Sequence, residues 1–219
     1  MGHLGAGWLE RPEREREEAT RKAIDLMDFK PTDVVADIGA GTGFFSFPIA
    51  QRVPQGKVLA VDIQQEMLDL VAAKAKELNV KNVEPVLGTV SDPKLPENSL
   101  DAVLMVDAYH EFDHPFEMMT AIRRALKPGG RVIQIEYRAE DPAVYIKPLH
   151  KMTEKQARLE MEAVGLEFAG NLKDLPKQHL LIFRRPADAV AATQPHSRPA
   201  PQHHAEGRPD RPTPRPDKE

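Results

Sequence analysis

The chain has 219 residues, a formal net charge of -4 and no cysteine. That length carries one α/β domain with a full core and little beyond it, and the missing thiols exclude disulfide frameworks, thiolate metal sites and cysteine nucleophiles. The acidic balance argues against a nucleic-acid partner, and no apolar run reaches the length of a membrane span.

Residues 1–8 have neither the basic start nor the apolar stretch of a secretory signal, which points to a cytoplasmic protein. Residues 10–29 open on charge and become apolar late, at Ala19, Ala23, Ile24 and Met27, the pattern of one helix whose first half is solvated and whose second half packs. Residues 1–29 thus read as an N-terminal helical extension, with Trp8 either part of a lid or a packing residue. From 30 to 186 strand-like and helix-like segments alternate. Strands are expected at 34–38, 58–62, 83–87, 100–106 and 131–136, and helices at 43–52, 66–78, 116–126 and 154–164. Pro48 must sit in the first turns of its helix or bend it. Met67, Leu70, Val71 and Leu78 mark one face of the next. Lys127-Pro-Gly-Gly130 reads as a turn. Two last strands, 166–169 and 179–184, are close enough to pair antiparallel. Residues 187–219, rich in Pro, His and charge, cannot bury enough surface to offset chain entropy and are expected to be disordered, with His203-His204 at most a weak metal grip.

Strands alternating with helices imply right-handed crossovers and a doubly wound, mostly parallel sheet. Ligands of such sheets bind beyond the carboxyl ends of the strands, which directs attention to 37–43, Asp62, 88–92, 107–114 and Glu136 onward. The segment Asp37-Ile-Gly-Ala-Gly-Thr-Gly43 follows a strand and opens a helix, and its glycines let the chain turn tightly against a ligand. Asp62 closes the next strand, where a carboxylate can accept both hydroxyls of a ribose. The dinucleotide pattern G-x-G-x-x-G would need glycine where Phe44 stands. Asp37 would repel a pyrophosphate and suits a cationic amino-acid group instead.

These residues resemble class I S-adenosylmethionine (SAM)-dependent methyltransferases. Asp37 to Gly43 is similar to the first motif of that family, Val61-Asp62-Ile63 followed by Glu66-Met67 to the second, and Leu126-Lys-Pro-Gly-Gly-Arg131 to the turn before the fifth strand. The resemblance is to the broad group that includes the ubiquinone and menaquinone-biosynthesis methyltransferases. It implies a Rossmann-like, seven-stranded sheet with an antiparallel C-terminal strand, SAM as cofactor and a small-molecule methyl acceptor. It also implies a cofactor site made of Asp37, Gly39, Ala40, Gly41, Gly43, Asp62, Ile63, Thr89, Val90 and Asp107. The family's adenine loop commonly carries an acidic residue where this chain has Thr89, whose hydroxyl can still accept a bond from the adenine amino group.

His110-Glu-Phe-Asp-His114 matches the zinc-hydrolase pattern H-E-x-x-H. That pattern needs both histidines on one helical face, yet here it follows a buried strand, and Pro115 disfavours the helical conformation at His114. No metal site is therefore expected. The residues sit instead at the substrate mouth, with His110 as the choice for general base, Tyr109 and Glu136 as further candidates for the catalytic site, and Lys147 and His150 on a connection that reaches the same mouth. A nicotinamide-dependent oxidoreductase and a non-catalytic SAM-binding module are the alternatives.

Overall fold

The computed structural model describes residues 2–187; the Pro- and His-rich segment, with His203 and His204, lies outside them. Eight strands form one sheet: β1 (Val34–Ile38), β2 (Lys57–Asp62), β3 (Val83–Leu87), β4 (Leu100–Val106), β5 (Leu126–Arg138), β6 (Lys151–Met152), β7 (Glu167–Asn171) and β8 (Gln178–Arg184). Seven of them follow the order β3-β2-β1-β4-β5-β8-β7. β1 to β5 run parallel and β8 is antiparallel to both its neighbours, the expected doubly wound sheet. The two-residue β6, not foreseen in the sequence, pairs with Tyr137 and Arg138 of β5. β4 stops pairing at Ile135, so β6 takes the place beside β5 that β4 vacates.

Helices cover both faces. α3 (Thr20–Leu26), α4 (Ser46–Arg52) and α5 (Gln65–Glu77) supply Ile24, Phe47, Ile49 and Val71 to one core cluster, and α6 (Pro115–Ala125) and α7 (Glu154–Ala163) supply Met119, Ile122 and Met161 to the other. Consecutive strand residues point to opposite faces, so Val35 and Leu104 join the first cluster while Ala36 and Met105 join the second. Burial on both sides is why these strands read as unbroken apolar runs. On α5, Met67 and Val71 are buried as expected, together with Leu68, whereas Leu70 and Leu78 stay exposed.

Two local readings are corrected. Residues 127–130 are not a free turn; they belong to β5, with a register shift against β4, and Gly129 takes the left-handed conformation there. Residues 10–29 are not one helix. α1 (Ala6–Leu9) and α2 (Arg14–Glu18) precede α3, and Ala19, at φ 52°, breaks the run between α2 and α3. The charged half is exposed at Glu10, Glu13, Glu15 and Arg16, as expected, but Arg14 and Glu18 are 5% and 2% exposed. They form an i,i+4 pair at 2.8 Å, and the Arg14 guanidinium lies 4.3 Å from the Phe44 ring centre. The charges are neutralised against each other and against an aromatic face instead of facing water.

Candidate functional site

The loops after β1, β2 and β4 line a cavity of about 640 Å³, a volume suited to a small ligand. The backbone N–H groups of Gly39 and Ala40 both donate to the carbonyl of Val61, at 2.9 and 3.0 Å, tying the glycine loop to the end of β2. Gly39 and Gly41 have positive φ, and a Cβ on Gly41 would stand 2.8 Å from Leu9 Cδ1, so the loop needs glycine there. Gly43 is not among the residues that line the cavity. It sits where a Cβ would meet the Phe47 ring at 2.7 Å, and its role is to let α4 pack closely.

Asp37, Asp62 and Asp107, at the ends of three strands, are among the carboxylates on the cavity wall. Asp62, 7% exposed, accepts the N–H of Gly41 on one oxygen at 3.0 Å and that of Gln64 on the other at 3.0 Å. Both oxygens are thereby fixed, and each keeps a lone pair for a ligand hydroxyl. Asp37 is buried and accepts the Ser46 hydroxyl at 2.6 Å. Burial raises its carboxyl to about 6, against the opposing effects of the Ser46 bond and the Arg14 charge. Asp107, in the left-handed conformation at φ 48°, accepts Gln178 Nε2 on Oδ2 at 2.8 Å. Its Oδ1 is buried without a hydrogen-bond partner among the described residues. Burial, and then the charges of Glu136 and Glu18, push its carboxyl well above the ordinary range.

This wall fits SAM better than a dinucleotide. Arg14 also lines the cavity, but its guanidinium is engaged by Glu18 and by the Leu9 carbonyl. A pyrophosphate would face net repulsion, while an ammonium would satisfy the orphaned carboxylate oxygen and a ribose diol would meet Asp62. Ile63, 52% exposed beside Asp62, and Val90 offer apolar cover on the same wall. Thr89 also lines it, but its hydroxyl accepts the Asp92 N–H at 3.0 Å and donates to the Asp92 carbonyl at 3.2 Å. The side chain is tied to its own turn by these bonds.

Opposite lies a histidine pair. Tyr109 to Glu111 form a single 3₁₀ turn, so His110 and His114 share no helical face, and His114 is exposed at the start of α6. His110 faces the cavity. Its Nδ1 lies 2.6 Å from Oε2 of Glu136, a residue that is 0% exposed. Oε1 of Glu136 accepts the N–H of Tyr109 at 3.0 Å and of His110 at 3.3 Å. His110 Nε2 lies 2.9 Å from His150 Nδ1, and His150 arrives there because β6 docks on β5. Burial lowers the His110 pKa, but the bond and charge of Glu136, helped by Asp107 and Glu111, outweigh it and hold the imidazole above its ordinary value. Glu136 therefore acts through His110 and does not itself line the cavity. Tyr109 does not line it either: its hydroxyl donates to Glu160 at 2.6 Å and its ring joins the core with Met118 and Met119. Of the turn, His110 and Glu111 line the cavity and Tyr109 does not.

The N-terminal segment closes one side. Trp8, Leu9 and Arg14 line the cavity, and the Glu10 carboxylate accepts the Thr42 hydroxyl at 2.6 Å and Lys74 at 2.9 Å. Sequence reasoning missed Leu9, Arg14 and Gln178. Nothing in their local pattern marks them; only the charge pair spaced by four in Arg14 and Glu18 is visible in the chain.

Residues 35–130 match the family model of a methyltransferase domain. A demethylmenaquinone methyltransferase of Lactococcus lactis subsp. lactis is 32% identical over 142 residues, 64% of this chain and 54% of that protein. A nocamycin O-methyltransferase of Saccharothrix syringae is 34% identical over 113 residues, 51% of this chain and 40% of that protein. The chain thus spans about half the length of these relatives. In fold it is similar to a SAM-dependent methyltransferase from Aquifex aeolicus, with a TM-score of 0.79 at 24% identity, over 84% of this chain and 99% of that one. Fold, glycine loop and family match agree: residues 35–130 are similar to a methyltransferase domain, and the fold is similar to that of a SAM-dependent methyltransferase.

Proposed function

We propose that this protein is a SAM-dependent methyltransferase acting on a small molecule. The observation that carries the reading is the acidic wall of Asp37, Asp62 and Asp107, with one carboxylate oxygen buried and unpartnered. Bound SAM supplies a methyl group on a sulfonium, and attack by a lone pair of the acceptor forms the new bond as the C–S bond breaks in line. The protein's work is then alignment and exclusion of water. Asp62 holds the ribose, Asp37 and Asp107 hold the cationic amino-acid end, and Ile63 and Val90 cover the adenine. The segment around Trp8 and Leu9 acts as a lid.

The acceptor lies toward His110, His150 and Tyr137, all on the cavity wall. His110, the expected base, has Nδ1 committed to Glu136 and Nε2 to His150. We therefore assign the reacting group of the acceptor to the pair, with Glu136 as the residue that positions it.

Calorimetric titration with SAM, S-adenosylhomocysteine and NAD tests the reading. Micromolar binding of the two sulfur compounds and none of NAD is expected, with Asp62→Ala weakening SAM by about 1–3 kcal/mol, the loss of charge-assisted hydrogen bonds. Preference for NAD would overturn it, and unchanged affinity in the variant would remove Asp62 from the site.

A further inference from the structure

We infer that the acceptor end of this cleft is a divalent-cation site formed by His110, His150 and Glu111. One donor atom of each residue lies within 4.8 Å of the others, and all three residues line the cavity. The arrangement of His110 is that of an imidazole prepared for a metal. The buried Glu136 carboxylate, itself fixed by two backbone N–H groups, holds Nδ1 at 2.6 Å. A carboxylate on one ring nitrogen fixes the tautomer and raises the basicity of the other. That other nitrogen, Nε2, is aimed at His150 Nδ1 at 2.9 Å, with the two rings nearly perpendicular at 88°. Two neutral imidazoles cannot leave two lone pairs facing each other at that distance; either a proton or a cation must stand there.

The donor set selects the ion. Two imidazoles and a carboxylate, with no thiolate in the chain, suit zinc or another late first-row divalent ion better than magnesium or calcium, which prefer oxygen. Three protein ligands leave a position open, the pattern of sites that bind a ligand rather than only hold the fold. The three residues line the cavity whose acceptor end the methyl-transfer reading assigns. Use of the ion on an acceptor rests on that reading; the binding of the ion does not. The site also departs from the H-E-x-x-H pattern that drew attention to it, because the second ligand is His150 from a distant turn and His114 takes no part.

The full-length protein, freed of metal by a chelator, should be titrated with Zn²⁺ by calorimetry and with Co²⁺ by visible absorption. One equivalent of zinc at micromolar strength or tighter is expected, with intense tetrahedral or five-coordinate Co²⁺ bands. His150→Ala and Glu111→Gln should each weaken zinc about tenfold or more, while His114→Ala and the double variant His203→Ala/His204→Ala bind as the parent does. The exposed Glu111 position keeps the test valid if His150→Ala does not fold. No zinc binding by the parent protein, or parental affinity in Glu111→Gln and a folded His150→Ala, would overturn the inference. S-adenosylhomocysteine titrated into the same samples reads the cofactor half separately: its failure to bind would sink the methyltransferase reading while leaving a zinc result standing.

Discussion

Asp37 shows how a single buried carboxyl can cost the fold stability. Burial raises its carboxyl from an ordinary 3.8 to about 6, so the folded state holds its proton more tightly than the unfolded one. Stability from this group is intact below pH 3.8, declines as pH rises, and is fully lost above about 6. Replacement by Asn keeps an acceptor for the Ser46 hydroxyl and removes the charge. Asp37→Asn should therefore raise the stability of the ligand-free protein at pH 7 by on the order of 1–3 kcal/mol, an advantage that vanishes near pH 4. The same variant should bind SAM more weakly. Thermal melts at the two pH values with and without SAM check both signs; a variant less stable than the parent at pH 7 would show that Asp37 is held as an anion by the fold itself. The carboxylates at 37 and 62 were readable in the chain because they end apolar runs. The unpartnered state of Asp107 Oδ1 was not, since it depends on Gln178, which β8 brings beside the end of β4.

At the scale of elements, α2 and β6 matter most, and neither was legible. α2 is five residues of Arg and Glu, whose pattern reads as a solvated face. Its burial comes from an aromatic surface at Phe44 and Phe45 that receives Arg14 and from Glu18, which also accepts bonds from Arg11 and the Tyr137 hydroxyl. Removing Arg14 leaves the buried Glu18 with Arg11 as its remaining cation. Arg14→Met should cost about 1.5–3 kcal/mol, the worth of a hydrogen bond between charged groups, and Arg14→Met combined with Glu18→Leu should recover part of it. Denaturant unfolding of the four proteins of this cycle measures the coupling; equal losses in the single and double variants would show that apolar packing does not replace the pair. β6 has only two residues, too short for any periodicity, yet its docking on β5 decides that His150 meets His110.

Over the whole molecule, the sheet is a stack of apolar strands shared by two cores, and the site is their common edge. Leu104, in the middle of β4 with neighbours on both sides, is fully buried. Leu104→Ala should lower stability by about 2–5 kcal/mol and leave SAM affinity of the folded protein unchanged, because the cleft loops lie beyond the strand ends. Urea unfolding beside SAM calorimetry tests the separation. Among the described residues no helix is long and apolar enough to cross a membrane.

The sequence by itself determined the order of strands and helices, the doubly wound sheet, the glycine loop and the position of Asp62. Those features depend on periodicity and on backbone requirements that are local to a few residues. Only the tertiary structure decided which loop residues face the cleft. It turned Tyr109 into the core and His110 outward, tied the Thr89 hydroxyl to its own turn, set Gly43 against the Phe47 ring, and joined His150 to His110 across forty residues of chain. Contacts between residues far apart in the chain are set by packing and strand register, which no local pattern carries.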